Sequence, residues 1–267
     1  MGNSERRPYH RWFGVVLVDL MADAGVVEIE KDMSLQQQLL DVLIVRAVKP
    51  LPPELPDGLR ELAPRNLISF KSHQEAFDFW ALLELLGSLV AYRKLVSPRG
   101  ELLPWSEFRL FAVCARRPEG LFALFPPQPL GPGVSDLPFG ELSVRVVVVR
   151  ELPQEPRNAP LLAFSADENT VQYAGARYRP RNPNTTAALA QLFGTYQAEG
   201  LRMAYTMADF ERDYVLDHLQ ILTPEQRLAG MPPEQRLAGL SEAEIAALLA
   251  RHAVKKPAPH SKKPRGR

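Results

Sequence analysis

Apolar positions recur along this chain with two periods, and the change from one to the other divides it into elements. In residues 11–22, Trp12, Val15, Val16 and Leu20 fall at helical spacing and Gly25 follows as a stop, which predicts a helix with a broad apolar face. Residues 26–35 predict a strand on which Glu28, Glu30 and Asp32 share one face, and 39–48 predict a second strand that hardly alternates, as burial on both faces requires. Prolines at 50, 52, 53, 56 and 64 make 49–64 an extended loop with one helical turn. Residues 67–72 predict a third strand. It runs directly into 74–95, apolar nearly all round (Phe77, Phe79, Trp80, Leu82, Leu83, Leu86, Val90), so the predicted helix there is packed against a sheet and little exposed. Residues 108–116 and 142–149 predict two more strands, the second after Gly/Pro-rich turns around Gly131, Pro132, Gly133 and Gly140.

The remainder reads as helices. Residues 185–198 and 207–222 carry helical spacing, the second opened by Thr206 with Asp209 three residues on. Pro224-Glu225-Gln226-Arg227-Leu228-Ala229-Gly230 then recurs as Pro233-Glu234-Gln235-Arg236-Leu237-Ala238-Gly239. Thr223 caps the first copy, Pro224 takes the first helical position and Gln226 that of a capping box, so each copy predicts one short helical unit ended by glycine. Two such units are too few for a solenoid and read as a helical spacer. Ser241 with Glu244 opens a last amphipathic helix. The expected layout is an α/β core over 1–155, a helical extension packed on it over 156–222, short repeats and a terminal helix over 223–250, and a disordered tail over 251–267.

Composition refines this layout. With 46% hydrophobic residues in 267, the chain has enough apolar surface for a full core. Its net charge of +1 hides an asymmetry: residues 251–267 hold Arg251, Lys255, Lys256, Lys262, Lys263, Arg265 and Arg267 and no acid, which leaves the body acidic. Such a tail cannot bury enough apolar surface to fold, and reads either as a solubilising segment or as a phosphate-binding arm. One cysteine, Cys114, excludes an intramolecular disulfide and a cysteine zinc cage, and its apolar surroundings predict a small packed hydrophobe. No signal-peptide core and no run of about 18 apolar residues is present, so a cytoplasmic location and no membrane partner are expected.

Two predicted strands break the rule that buried strands avoid charge. Asp41 lies inside the second, and Ser69 and Lys71, which share a face by the two-residue period, lie in the third. If these strands are neighbours, Asp41 lies beside that face. A carboxylate and a lysine converging with room for a divalent ion suit phosphodiester hydrolysis, the carboxylate holding Mg²⁺ (or Mn²⁺) and the lysine stabilising charge or positioning water. The structural reading of the same pair is a buried ion pair.

The order of elements, the strand with Asp41, the strand ending in Lys71 and the apolar helix behind it resemble the PD-(D/E)XK nuclease superfamily over residues 9–116. More narrowly, Tyr9-His10-Arg11-Trp12-Phe13, Leu40-Asp41-Val42, residues 66–75, Tyr92-Arg93-Lys94 and the Pro-Glu-Gln-Arg-Leu-Ala-Gly repeats resemble bacterial recombination-promoting nucleases, also described as transposases. The resemblance implies a restriction-endonuclease-like αβββαβ core, with a mixed sheet flanked by helices and a helical C-terminal appendage. It also implies Mg²⁺-dependent cleavage of DNA, Asp41 as the motif aspartate and Lys71 as the motif lysine. Ser69 stands where the second acid belongs, and a serine cannot supply that charge. Glu75, expected at the start of the following helix, is the first candidate to replace it, and Glu30 the second. At a helix N-terminus the macrodipole alone would also favour Glu75.

Other candidates are His73, beside the site, for a phosphate contact or proton relay, and Arg93 and Lys94, at the end of the long helix, for DNA backbone. Tyr173, Arg177, Tyr178, Arg179 and Arg181 interleave bases with aromatics, a pattern of nucleic-acid surfaces and, more commonly, of solvated loops. The chain has no G-x-G-x-x-G, Walker loop, H-E-x-x-H or G-x-S-x-G motif, so nucleotide cofactors are unsupported. Two rival readings remain: a degenerate member of the fold that binds DNA or protein without cutting, and an assembly protein acting through its repeats and last helix. A symmetric homodimer would suit cutting two strands.

Overall fold

The computed structural model describes residues 7–21, 25–28, 42–47, 54–201 and, further on, 212, 215, 219, 223–236, 241 and 243–246. Asp41, Glu30, the stretch 29–41, most of 202–222 and the basic tail lie outside the described residues. Two compact units result, 1–214 and 215–267.

In the first unit a helix, α1 (Arg7–Met21), precedes three strands, β1 (Gly25–Glu28), β2 (Val42–Ala47) and β3 (Arg65–Lys71). Then come α2 (Phe79–Val96), β4 (Phe108–Cys114), α3 (Glu119–Leu124), β5 (Gln128–Gly131), β6 (Val134–Phe139) and β7 (Leu142–Val148). Helices α4 (Ala159–Leu162), α5 (Glu168–Arg177) and α6 (Pro183–Ala198) follow. The strands form one mixed sheet of order β1-β2-β3-β4-β7-β6-β5. β1, β2 and β3 are antiparallel neighbours, β3 runs parallel to β4 and β4 to β7, and β7, β6 and β5 close the sheet as antiparallel hairpins. The expected α/β class with a mixed sheet flanked by helices is therefore the observed one.

Side-chain alternation along β3 splits the core in two. Ile68 and Phe70 join a cluster with Phe13 and Leu17 of α1, Phe164, and Leu189 and Phe193 of α6. Leu67 joins Leu82, Leu85 and Leu89 of α2 and Val144 and Val146 of β7. The helices thus lie on the two faces of the sheet, α1 with α4–α6 on one side and α2 on the other. Tyr92, Phe70, Phe13 and Phe111 are almost wholly buried, each contributing about 1.5–3 kcal/mol of hydrophobic stabilisation or more.

Several expectations change. α1 begins at Arg7, four residues before the predicted start, which brings Tyr9 and His10 into the helix. α2 begins at Phe79, not at residue 74, because the Asp78 carboxylate caps it, accepting from Ala81 N at 2.9 Å. Nor is α2 little exposed. Only its inner face meets the sheet, while Phe79, Leu83, Val90 and Leu95 are exposed and Trp80 is 68% exposed. A helix on the outer layer of a three-layer fold has nothing to pack on its far side. The β5–β6 hairpin was predicted only as turns, since Pro129, Pro138 and the glycines weaken strand patterning. Gly133 in its turn has φ +68°, and a Cβ there would stand 2.8 Å from the Val148 carbonyl oxygen.

In the second unit, α7 (Pro224–Arg227) and α8 (Pro233–Arg236) are the two repeat copies. Thr223 and Gln226 form the expected capping box. Ser241 and Glu244 open the helical residues 243–246, with Ser241 N donating to Glu244 Oε2 at 2.8 Å.

Candidate functional site

β3 ends at Lys71 in the middle of the sheet, between β2 and β4, where the chain turns over the sheet's end before α2 begins. Ser69 and Lys71 are both buried and share the face of Leu67, opposite Ala112 and Cys114 of β4. The expected common face of Ser69 and Lys71 is therefore observed. On β2 the register pairs Ser69 with Val42, an aliphatic residue; Asp41, the expected neighbour, lies outside the described residues.

The turn after Lys71 carries the polar groups. Glu75 N donates to Ser72 O at 3.1 Å and Ser72 Oγ donates to Glu75 Oε2 at 3.2 Å, which folds the carboxylate back over the strand end. Glu75 is thus a turn residue rather than the first residue of a helix, and the macrodipole explanation of its position lapses. Its side chain is 11% exposed and stands 3.4 Å from His10 Nε2, on α1. His10, 4% exposed, lies edge-on to Phe70. Its Nε2 is within ion-pairing distance of the carboxylate, at the long limit of a hydrogen bond.

Burial works to raise the Glu75 pKa. The adjacent His10, the Lys71 charge and the Ser72 hydroxyl outweigh it and hold the carboxyl below the ordinary glutamate value, so it is ionised at neutral pH. Lys71 also acts on Cys114, whose thiol burial nevertheless pushes up to about 12. Cys114 is therefore the inert packed residue the sequence predicted.

A second cluster grips the same turn from the other side. Glu199, at the C-cap of α6, accepts from Tyr9 Oη at 2.8 Å and Gln74 Nε2 at 2.6 Å, and its other oxygen lies 2.9 Å from His73 Nε2. Tyr9, His73 and Tyr196 surround this carboxylate edge to edge. An acid at a helix C-terminus opposes the macrodipole, and three donors from two other elements offset that cost. His73 is thus held by Glu199.

The expected DNA-contacting pair is elsewhere. Arg93 lies at the far end of α2, on the order of 20 Å of helix from the turn. There its Nε donates to Leu103 O at 2.6 Å and its guanidinium stacks 3.6 Å over Trp105. Arg93 is occupied in tying α2 to the approach of β4, and Lys94 lies beside it. The basic-aromatic stretch 173–181 is likewise structural: Tyr178 Oη donates to the buried Asp19 at 2.7 Å, Arg181 N donates to it at 2.8 Å, and Arg177 lies over Tyr173.

His10 and Glu199 were not singled out by the sequence as site residues. For His10 a signal exists: with Phe13, Leu17 and Met21 it forms a stripe at i, i+3, i+7 and i+11, which places it on the buried face. Glu199 has no local signal. Asp41 and Glu30 lie outside the described residues, and among the described residues no group of three or more His, Cys, Asp and Glu side chains converges as a metal site. Also among the described residues, no helix is long and apolar enough to cross a membrane.

No family model matches the chain, and no curated protein or solved structure matches it.

Proposed function

We propose that the protein is a metal-dependent deoxyribonuclease of the PD-(D/E)XK type, in which Glu75 replaces the acid missing at Ser69. One observation carries this reading. A half-buried, ionised carboxylate sits in the turn directly behind the strand-end lysine, under the influence of that lysine's charge. The order α1-β1-β2-β3-α2-β4, with β3 and β4 parallel at the centre of the sheet, supports the same reading, as does the strand-end location where open α/β sheets bind ligands.

The donor set suits a hard or borderline divalent cation. It combines an ionised carboxylate with the imidazole nitrogen of His10 beside it, and Asp41 is the expected further ligand. Such an ion, when bound, supplies Lewis-acid stabilisation and a water of lowered pKa. The chain's own residues do the rest. Lys71 offers positive charge where the pentacoordinate phosphorus gathers negative charge, Ser72 orients the Glu75 carboxylate, and Ser69 offers a neutral hydroxyl in place of an acid. Glu199 holds His73 and Gln74, and so the turn between Lys71 and Glu75.

Nicking of supercoiled plasmid with Mg²⁺ or Mn²⁺ tests the assignment. Wild-type protein is expected to nick, and Asp41→Asn, Lys71→Met and Glu75→Gln each to lose about a hundredfold or more. Nicking that survives all three substitutions refutes the site. Binding of DNA with no cleavage by wild-type protein under either metal would favour the degenerate member of the fold.

A further inference from the structure

We propose that the outward face of α2 is a dimer interface, on which a second copy of this chain pairs its own α2 antiparallel across a two-fold axis at Gly87. Phe79, Trp80, Leu83, Val90 and Leu95 project from this side of the helix. The patch continues onto α3, where Leu124 is exposed and Phe125 stacks on Phe79 with ring centroids 5.9 Å apart. Exposed fractions of 42–68% on these six residues, at about 200 Å² for each side chain, leave about 600 Å² of apolar surface facing outward. Patches of that size mark interaction sites. A standard interface covers about 800 Å² on each partner, so this surface, with the exposed Glu84, Gly87, Ala91 and Lys94 set among it, reaches the area a stable dimer needs.

Gly87 is an independent indication. It sits at the middle of an 18-residue helix, where glycine is less favourable than any residue but proline, and a Cβ built on it meets nothing within 4 Å among the described residues. Packing within the chain, among the described residues, therefore gives no reason for the missing side chain. A second helix crossing at that point does, because the distance between two helix axes is set by the side chains where they touch. Charge then fixes the direction. The exposed positions of α2 hold one acid, Glu84, three residues before the glycine, and one base, Lys94, seven after it. Parallel pairing would set each charge beside its own copy. Antiparallel pairing sets Trp80, seven residues before the glycine, level with Lys94 of the second copy and brings Leu83 to its Val90. The Trp80 indole donates to Glu84 Oε1 at 2.9 Å, so ring and carboxylate together receive the incoming ammonium. The inference stands whether or not the chain cuts DNA.

Sedimentation equilibrium of the full chain tests it. The wild type is expected to be a dimer with a dissociation constant in the micromolar range or below. Gly87→Gln places its side chain in open space in the single chain, so it is expected to keep the wild-type circular dichroism while weakening the dimer at least about tenfold. Glu84→Lys and Lys94→Glu are each expected to weaken it about fivefold, and the two together to restore it. A wild-type monomer at tens of micromolar overturns the proposal, as does a dimer that withstands Gly87→Gln. A double charge reversal that pairs no better than either single one overturns the antiparallel arrangement and the proposal with it.

Discussion

Helix α1 buries two polar side chains to the same degree and treats them in opposite ways. Asp19, 4% exposed, accepts from Tyr178 Oη at 2.7 Å, from Arg181 N at 2.8 Å and from Asn182 Nδ2 at 3.1 Å. His10, nine residues earlier and equally buried, meets one carboxylate only, Glu75 Oε2 at 3.4 Å from its Nε2. A buried polar group costs free energy unless it is satisfied, so Asp19, with three donors, is a structural tie, whereas His10 is met by a single carboxylate. The same contrast separates Arg145, which donates to Asp136 Oδ2 and to Glu61 Oε2, each at 3.1 Å, from the cluster at the end of β3.

Substitutions can break this distinction, and Asp19 is where the effect is largest. Asp19→Ala leaves a tyrosine hydroxyl, a backbone N–H and an amide without their acceptor in the core, and is expected to cost about 2–4 kcal/mol in urea unfolding. A loss below about 1 kcal/mol would show that saturation does not mark a structural role. Glu199→Ala comes next, at about 1–2 kcal/mol, because its donors reach solvent more easily; nicking should fall further than that stability loss explains, since the turn carrying Glu75 is released. His10→Gln is expected to cost about 1 kcal/mol although His10 is as buried as Asp19, since it removes one ion pair where Asp19→Ala removes three hydrogen bonds.

The smallest effect is on acid stability. Glu75 has a folded-state pKa below its unfolded value, so its contribution to stability is present above the unfolded pKa, about 4.3, and is lost as the pH falls through the lower folded value. Glu75→Gln is expected to flatten the acid limb of a stability-against-pH curve by a few tenths of a kcal/mol and to leave the curve unchanged above about pH 6. An unaltered acid limb would mean that His10 and Lys71 do not stabilise the carboxylate.

Much of the fold was legible because period and polarity are local properties. The run 67–72 had to be a buried strand wherever it was placed, and the capping boxes at Thr223 and Ser241 needed only residues three positions apart. Helix starts were less legible: the helix after Lys71 began five residues late because one carboxylate, Asp78, decided the cap, and α1 began four early. The site divided in the same way. Lys71 stood out as a charge in an apolar strand and Glu75 as the nearest acid, whereas the partners of Arg93 and His73, Leu103 with Trp105 and Glu199, were not legible.

By itself, then, the sequence determined the alternation of elements, the burial of Ser69, Lys71 and Cys114 and the cap of the first short repeat, because each follows from residues within a few positions of one another. Only the tertiary structure decided which face each charge took and what met it there. The β2–β3 register set Val42 beside Ser69, the packing of α1 on Phe70 carried His10 to Glu75, and the end of α6 brought Glu199 to the turn. Pairings across 65 to 190 residues depend on how whole elements pack, and no local pattern encodes where a distant helix will come to rest.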